Sequence, residues 1–468
     1  MKNIFTKICV FSLIMMAIHS TVWAQESTTL QFMKGISQYA LQNPALHNDS
    51  SKVVIGLPGL SGIHFDFNSN FAINDLIHKG TGSLADSLVL DVNGFNNSLK
   101  ATNSIEEHIS MPLFYLGFRI KKSFFSIGIT EKENAQFTFD KSLITFLKDG
   151  NAPYMGQNFD LGNLKMNAFD YTEIAFGYSN EVIKNKLTVG LKIKALLGKF
   201  AVQTERMNLK VETAADGSSL NLSSDMKINM AIPATPEYDQ DNFLTGMNTD
   251  NFKPKDFLMQ TGNMGMTFDL GAVYKLTPKI TISGSIVDIG KISFKKDLIS
   301  MGKVSNYNWV GIDFSNSIDS TNANYIAPSK LVENETTKLG NTFKPQKSNI
   351  SSDPFEVKIP TKYYLGGTYQ INNNFNVGLL DRMYKNGDIS RNTLTLSANA
   401  LLGKFFSLTG SYSIVGDAYN NLGLGMALRL GIMQLYFVSD NLMALSDPAK
   451  AKFVNAHVGM NFLFGRRN

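Results

Sequence analysis

Four charged residues are the strongest candidates for chemistry in this sequence: Glu173, Lys192, Lys194 and Arg429. Each lies in a segment where apolar and polar residues alternate, and each falls on the polar side of the alternation. A turn at 180–186 joins the first two segments, so hairpin pairing predicts that Glu173 lies near Lys192. Two interpretations stay open. Either the charges form an ion-pair network that braces a barrel interior, or they receive the anionic head group of a solute.

Residues suited to catalysis or metal binding are scattered along the chain. Gly59-Leu60-Ser61-Gly62 lacks the spacing of a nucleophile elbow, and His457 beside Asn455 supplies only part of a hydrolase triad. No two histidines have the spacing of a metal-binding helix. Those that follow residue 24 are His47, His64, His78, His108 and His457. We therefore expect no enzyme activity, no catalytic residues, no cofactor and no metal site.

The composition narrows the class of protein. Of 468 residues, 43% are apolar and 18% are charged, which is below the roughly 25% of an ordinary soluble domain. This deficit indicates that part of the surface does not face water. With 44 Lys plus Arg against 39 Asp plus Glu, the charges nearly balance, and we expect no nucleic-acid partner.

Residues 1–24 have the features of a bacterial secretion signal. Lys2 and Lys7 precede an apolar run at 8–18, and Val22-Trp23-Ala24 places small residues where signal peptidase needs them. A membrane anchor is the alternative, but the run is too short for a hydrocarbon core of about 30 Å. We expect cleavage after Ala24, which removes Cys9, and we expect the protein to reach the cell outer membrane.

Alternation with period two follows the signal. In residues 393–400, Leu394 and Leu396 share one face, whereas Thr393 and Thr395 share the other. Similar patterns occur at 187–195, 421–430 and 455–464. The polar faces carry mainly Thr, Ser, Asn and Gly, whereas a soluble β-sandwich or β-propeller, the alternative, normally exposes many Lys and Glu.

Short turns alternate with long polar connections along the chain. This asymmetry is typical of outer-membrane barrels, which have tight periplasmic turns and long external loops. The sequence therefore predicts an all-β transmembrane antiparallel barrel over residues 51–468. Fourteen strands are expected to begin near Val53, Ile109, Phe124, Ala168, Leu187, Asn263, Lys279, Lys362, Phe375, Asn392, Phe405, Asn421, Ile432 and Asn455. Counting either extra strand-like segment, 220–232 or 304–314, as a spanning pair would give sixteen.

The N-terminal segment 25–50 is a candidate plug for this barrel. Residues 30–41 predict a short helix before Pro44, with Phe32, Ile36 and Tyr39 on one face. Together with Asn43 and Pro44, these residues are the candidate plug residues. A flexible periplasmic leader is the alternative.

Several stretches resemble a Bacteroidota family of outer-membrane barrels classed as a domain of unknown function. They are LQFMKGISQYALQNPA (30–45), 55–77, 137–161, 171–179 and 186–200, and the resemblance extends over the whole chain after the signal. That family is distantly similar to the long-chain fatty acid transporter superfamily and to barrels of type IX secretion and gliding, which share the Asn43-Pro44-Ala45 pattern. The resemblance implies fourteen strands and an N-terminal segment in the lumen, but no function.

Two functions are open at this point. By analogy with the fatty acid transporters, the first is binding or passage of a small hydrophobic solute at the outer membrane. The second is a non-transporting scaffold for surface protein export or gliding, whose long loops bind other proteins. An open sugar pore is a third possibility, which an inserted N-terminus disfavours. The expected partners are outer-membrane lipid, a hydrophobic small molecule, and surface or periplasmic proteins.

Overall fold

A computed structural model describes residues 28–47, 51–250, 252–258, 260–387, 389–403, 405–416 and 418–466. The predicted signal peptide lies outside these residues. The main element is an antiparallel barrel whose strands we number β1 to β14 in chain order. β1 and β8 each consist of two segments. The strands are β1 (Ser51–Gly56 and Ile63–Ser69), β2 (Thr102–Ile120), β3 (Ser123–Asp140), β4 (Asn158–Ile183), β5 (Leu187–Thr213), β6 (Met264–Lys275), β7 (Ile280–Phe294), β8 (Phe355–Lys358 and Thr361–Gln370), β9 (Phe375–Asn386), β10 (Ile389–Leu402), β11 (Phe406–Val415), β12 (Ala418–Leu430), β13 (Met433–Ser439) and β14 (Phe453–Arg466).

The sheet closes on itself. Each strand pairs with the next, and β14 pairs with both segments of β1, as in Val53 opposite Phe464 and Phe65 opposite Ala456. Every predicted strand start lies within a strand or next to one. The prediction of a closed antiparallel barrel of fourteen strands is confirmed.

The two faces of the wall have opposite polarity. In β10, Thr395 and Ser397 are 0% and 3% exposed and face the lumen, whereas Leu394 and Leu396 are 44% and 59% exposed on the outside. A soluble sheet buries its apolar face and exposes its polar one. This wall does the reverse, as a barrel surrounded by lipid must.

The connections differ between the two ends of the barrel. At one end, the short-turn end, they are 121–122, 184–186, 276–279, 371–374, 403–405 and 431–432. The other, the long-loop end, carries the long connections. Here Leu220–Ala231 pairs with an extension of β5 and with Leu298–Trp309. These strands lie beyond the barrel, so the count of sixteen is wrong.

Short helices and hairpins complete the long-loop end. The α-helices are Val92–Ser98, Lys141–Asp149, Pro254–Leu258, Pro328–Phe343 and Leu442–Ser446. The hairpins pair Ile77–Lys79 with Leu88–Leu90 and Thr235–Tyr238 with Leu244–Asn248, and Ile350–Ser351 pairs with Leu298–Trp309. Within the residues that the structure describes, no helix has the length and apolar character needed to cross a membrane.

The N-terminal segment contains two 3₁₀ helices, Thr28–Phe32 and Ser37–Leu41, instead of the single helix predicted over 30–41. Ile36 between them is extended, with φ −104° and ψ 147°, and it follows Lys34 and Gly35. Glycine is a poor helix former, and an extended residue interrupts the helical hydrogen bonds. The break also separates Phe32 from Ile36 and Tyr39, which the predicted helix placed on one face.

Candidate functional site: the occupied lumen

Residues 28–47, which we call the plug, lie inside the barrel. Leu30, Ile36 and Asn43 are fully buried, at 0% exposure. Hydrogen bonds between its backbone and side chains of the wall, together with apolar packing, hold it in place. It therefore fills lumen space without being a strand of the sheet.

One end of the plug is held by Asp440, the residue that follows β13. Backbone N–H groups of Thr28 and Thr29 donate to its carboxylate over 2.7 and 3.0 Å. The hydroxyls of both threonines donate to the same carboxylate. Thr395 of β10 donates to the Thr28 hydroxyl over 2.8 Å and lies 2.9 Å from the Ser413 hydroxyl of β11. A single buried carboxylate thus organises this end of the plug.

The other end is held by β5, β6 and β7. Nζ of Lys192 donates to the carbonyl of Ala40 over 2.7 Å, and the Ser285 hydroxyl donates to the carbonyl of Gln42 over 2.6 Å. Nδ2 of Asn43 donates to the carbonyls of Gly284 and Ala272 over 3.2 and 3.3 Å. These contacts tie the plug backbone to the wall from one side.

Two glycines of the wall leave room for the plug at Asn43 and Pro44. A Cβ atom at Gly190 would overlap the backbone of Pro44, and one at Gly271 would overlap the side chain of Asn43. Gly190 and Gly271 are paired in the sheet, so the glycine gap spans both strands. Glycine in a strand often marks such a close approach of another backbone.

Apolar contacts of the plug point in two directions. Phe32 packs with Val287, Tyr364 and Leu380 of the wall. Ile36 and Tyr39 pack in a separate cluster with Leu30, Met33, Ala427, Tyr436 and Val438. The predicted plug residues are therefore all in the lumen, but they do not share one face.

A buried charge network lies beside the plug. Nζ of Lys194 is 2.5 Å from Asp288, 2.7 Å from Asp269 and 3.8 Å from Glu173. Lys132 lies 2.7 Å from Glu173, and Lys362 lies 3.3 Å from Asp288. The network consists of Lys132, Glu173, Lys194, Asp269, Asp288 and Lys362, all buried. The three positive and three negative charges compensate one another across the six strands β3 to β8.

The predicted lumen charges occupy three different places. Glu173 and Lys194 belong to the network. Lys192 lies opposite Gly177 in the hairpin and donates to the plug. Its charge still interacts with that of Glu173, but the β5 residue within 4 Å of the Glu173 carboxylate is Lys194, at 3.8 Å. Arg429 lies at the short-turn end, where its Nε donates to the carbonyl of Gly431 over 3.3 Å. The structure therefore does not bring the four residues together.

Sequence reasoning missed the acidic centre of the network. Strict alternation with Ile286 places Asp288 on the outside of β7. A bulge pairs Leu270 with Ile286 and Phe268 with Ile289, and Asp288 has a φ of 65°. The bulge turns its carboxylate into the lumen. The available signal was the break in alternation at Val287-Asp288.

An apolar layer fills the lumen next to the network, toward the long-loop end. It is formed by Phe169, Tyr171, Leu196, Ala201, Ala231, Ile292, Phe294, Phe355, Val357 and Ile359. The rings of Phe294 and Phe355 stack with centroids 5.2 Å apart. The interior of a water-filled porin is polar, whereas this layer consists of hydrophobic side chains.

A small polar cavity remains between these parts of the lumen. Its lining includes Asp66, His108, Lys132, Arg382 and Tyr384, and its volume is about 20 Å³. That is room for about one water molecule. The cavity is too small for a solute in this state of the lumen.

Comparison with known proteins identifies the family. A family model described as "Family of unknown function (DUF5723)" matches residues 44–440. The chain belongs to this family. No curated protein matches the chain.

Several solved structures are similar to this chain at low sequence identity. A toluene transporter of Ralstonia pickettii, TbuX, has 10% identity and a TM-score of 0.39, covering 92% of this chain and 94% of its own. The toluene transporter TodX of Pseudomonas putida has 10% identity and a TM-score of 0.37, covering 94% and 98%. A FadL homologue of Pseudomonas aeruginosa has 12% identity and a TM-score of 0.36, covering 94% and 97%. Similarity at this level does not transfer a function.

Proposed function

We propose that this protein is an outer-membrane barrel that binds or passes a small hydrophobic solute, with the plug as its gate. The observation that supports the solute class is the apolar layer inside the lumen. A barrel built for sugars or ions lines its interior with polar side chains. Here Phe169, Phe294 and Phe355 face the lumen instead.

The way in which the plug is attached supports the gate. Its contacts with the wall described above are side-chain hydrogen bonds from residues such as Lys192 and Ser285, and apolar packing. The barrel ladder does not include the plug, so the plug can move while every strand pair is kept. Movement of residues 28–47 would join the small polar cavity to the space that the plug now fills.

The glycine gap offers a test of the gate. Gly190→Leu places a side chain where the Pro44 backbone lies and must displace this end of the plug. Gly410→Leu is the matched control, because a Cβ there meets nothing within 4 Å. We expect steady single-channel conductance in planar bilayers from the first variant, and none from the control or the unmodified protein.

Solute transfer is measured on the same proteins. Liposomes containing Gly190→Leu should take up a small fluorescent hydrophobic solute faster than liposomes containing Gly410→Leu. If Gly190→Leu conducts ions but does not change uptake, the proposal of a hydrophobic solute is contradicted, whereas the proposal that the plug is a gate still holds. If a folded Gly190→Leu barrel shows neither conductance nor faster uptake, the proposal that the plug is a gate is contradicted as well.

The proposal includes secretion and processing. We infer that the chain is cleaved after Ala24 and inserted into the outer membrane with the short turns in the periplasm, as in other barrels of this type. Intact mass of the protein purified from outer membranes should correspond to a start at Gln25. A mass that includes Met1 would contradict it.

A scaffold for surface proteins is the second candidate, and the ordered region at the long-loop end favours it. The helix Pro328–Phe343 packs on Leu298–Trp309 through Glu335, which accepts from the Tyr307 hydroxyl, and through the Lys344 carbonyl, which accepts from Lys303 over 2.7 Å. A helix held against a strand by such contacts presents a defined surface that suits protein binding. Removal of residues 310–349 should then abolish co-purification of surface partners and leave solute uptake unchanged.

A further inference from the structure

The short-turn end of the barrel carries a strong positive charge. Its connections include Lys121, Lys122, Lys184, Lys186 and Lys279, and the six short connections contain no Asp or Glu in the sequence. The plug sequence 28–47 contains none either. Glu181, 3.9 Å from Lys122, is an acidic residue at this end. Cations therefore dominate this mouth.

Part of this charge faces the mouth, away from the surrounding lipid. Lys275 follows Asp269 and Gly271 on the lumen-facing set of β6. Arg119 is paired with Phe124, whose ring stacks on His47 of the plug at 5.3 Å. Arg429 is paired with Gln434, whose Nε2 donates to the carbonyl of Gly35 over 2.7 Å. The register thus directs three cations toward the plug.

The plug adds a cation of its own. Lys34 is exposed, whereas its neighbours Phe32, Met33 and Ile36 are buried. The pKa of Lys34 is lowered, first by partial desolvation in the mouth and then by the positive charge of Lys275. Lys275 therefore lies close enough to act electrostatically on Lys34, whose neighbour Gly35 contacts Gln434, and a carboxylate between the two ammonium groups would relieve their repulsion.

We propose that an acidic segment of a periplasmic protein binds in this mouth, contacting Lys34, Lys275 and Arg429. Charge complementarity supports this partner. Anionic lipid head groups surround the outside of the wall, where the lumen-facing set of each strand cannot reach them. A flexible chain of Asp and Glu can enter the mouth and contact both the wall and the plug at Lys34 and Gly35, which we call the plug tip. This inference does not depend on the solute that the barrel handles.

The probe for this site is a fluorescent decaglutamate peptide. Binding to the full chain in phosphatidylcholine nanodiscs is followed by anisotropy, at low and high salt. We expect the combined change Lys34→Gln, Lys275→Gln and Arg429→Gln to weaken binding at least about tenfold at low salt. The matched control neutralises Lys291, Lys330 and Lys338, which are 56%, 56% and 64% exposed at the long-loop end, and should change binding less than about twofold.

A labelling experiment places the peptide at the plug tip. Cys9 is the only cysteine in the sequence, so Cys9→Ser with Gly35→Cys leaves one thiol. A Cβ at Gly35 meets nothing within 4 Å, so the barrel should fold. Decaglutamate should slow the reaction of this thiol with maleimide, whereas decalysine should not.

Three results would overturn the proposal. Equal weakening in the mouth and control variants would show nonspecific attraction. Unchanged labelling at residue 35 would place the peptide elsewhere. Retention of phosphatidylglycerol by the wild type but not by the mouth variant, without binding of decaglutamate, would assign the charges to lipid.

Discussion

The two sides of the lumen hold the plug by different chemistry. On the side of β10 to β13, Thr28 and Thr29 meet neutral hydroxyls and the single carboxylate of Asp440. On the side of β4 to β7, the plug backbone meets Lys192 and Ser285, and the charge network lies next to it.

This difference matters because the two chemistries respond differently to loss of a partner. Removal of a neutral hydrogen-bond partner from a hydroxyl lowers the free energy of unfolding by about 1 kcal/mol. Removal of one member of a buried ion pair lowers it by about 3 to 5 kcal/mol, because the other ion is left unpaired in the interior. We therefore expect loss of one side chain to lower the free energy of unfolding more in the charge network than at the neutral hydroxyls on the opposite side of the lumen. The following variants test this contrast.

The largest effect is expected from Lys194→Gln. This change leaves Asp269 and Asp288 buried without the cation between them, and should lower the free energy of unfolding by about 3 to 5 kcal/mol. Denaturant unfolding in detergent micelles measures it. A loss below about 1 kcal/mol would show that the network does not behave as a buried ion cluster.

Asp440→Asn should have the next largest effect. The carboxylate accepts from two N–H groups and two hydroxyls, and hydrogen bonds to charged groups contribute about 1.5 to 3 kcal/mol. The barrel should stay folded while protease cleaves the released plug end. Asp447→Asn, in the same connection but 46% exposed, is the control and should leave the plug protected. Equal cleavage of both variants would contradict the role of Asp440.

Thr395→Val tests the neutral contacts alone. It removes one hydroxyl from the set formed with Thr28 and Ser413, at nearly constant volume. We expect a loss of about 1 kcal/mol in denaturant unfolding and no release of the plug. A loss as large as that of Lys194→Gln would remove the contrast between the two sides.

Lys291→Gln should have the smallest effect. Lys291 lies 2.7 Å from Glu356, but the side chains are 56% and 51% exposed. Pairs of this kind contribute about 0 to 1 kcal/mol, and salt screens them. Unfolding at high salt should therefore not distinguish this variant from the wild type.

The sequence was sufficient for the strands because their signal is local. The alternation at 393–400 needs no knowledge of distant residues, and the structure shows Thr393 and Thr395 buried and Leu394 and Leu396 exposed. The unequal connection lengths likewise favoured fourteen strands, although they left sixteen open. The placement of Glu173, Lys192 and Lys194 on the lumen side followed from the same alternation.

The partners of these residues could not be predicted from local patterns. Asp440 meets Thr28 across 412 positions of sequence, and no spacing rule links them. Lys132 reaches Glu173 through the register of β3 and β4, which contains Thr130 opposite Glu173. The inward turn of Asp288 depends on a bulge, which interrupts the alternation from which the lumen-facing residues were predicted. The predicted helix over 30–41 failed because wall contacts, not helical hydrogen bonds, determine the path of the plug.

The strands differ greatly in length around the barrel. β4 has 26 residues and β11 has 10. At about 3.3 Å per residue and a tilt of about 40°, β4 rises about 65 Å and β11 about 25 Å, and the apolar band of such barrels is about 25 Å tall. β4 therefore continues about 40 Å beyond such an apolar band toward the long-loop end, whereas β11 ends close to its edge. The wall is thus tall on the side of β4 and low on the side of β11, so a large molecule that approaches the long-loop end meets less obstruction on the side of β11.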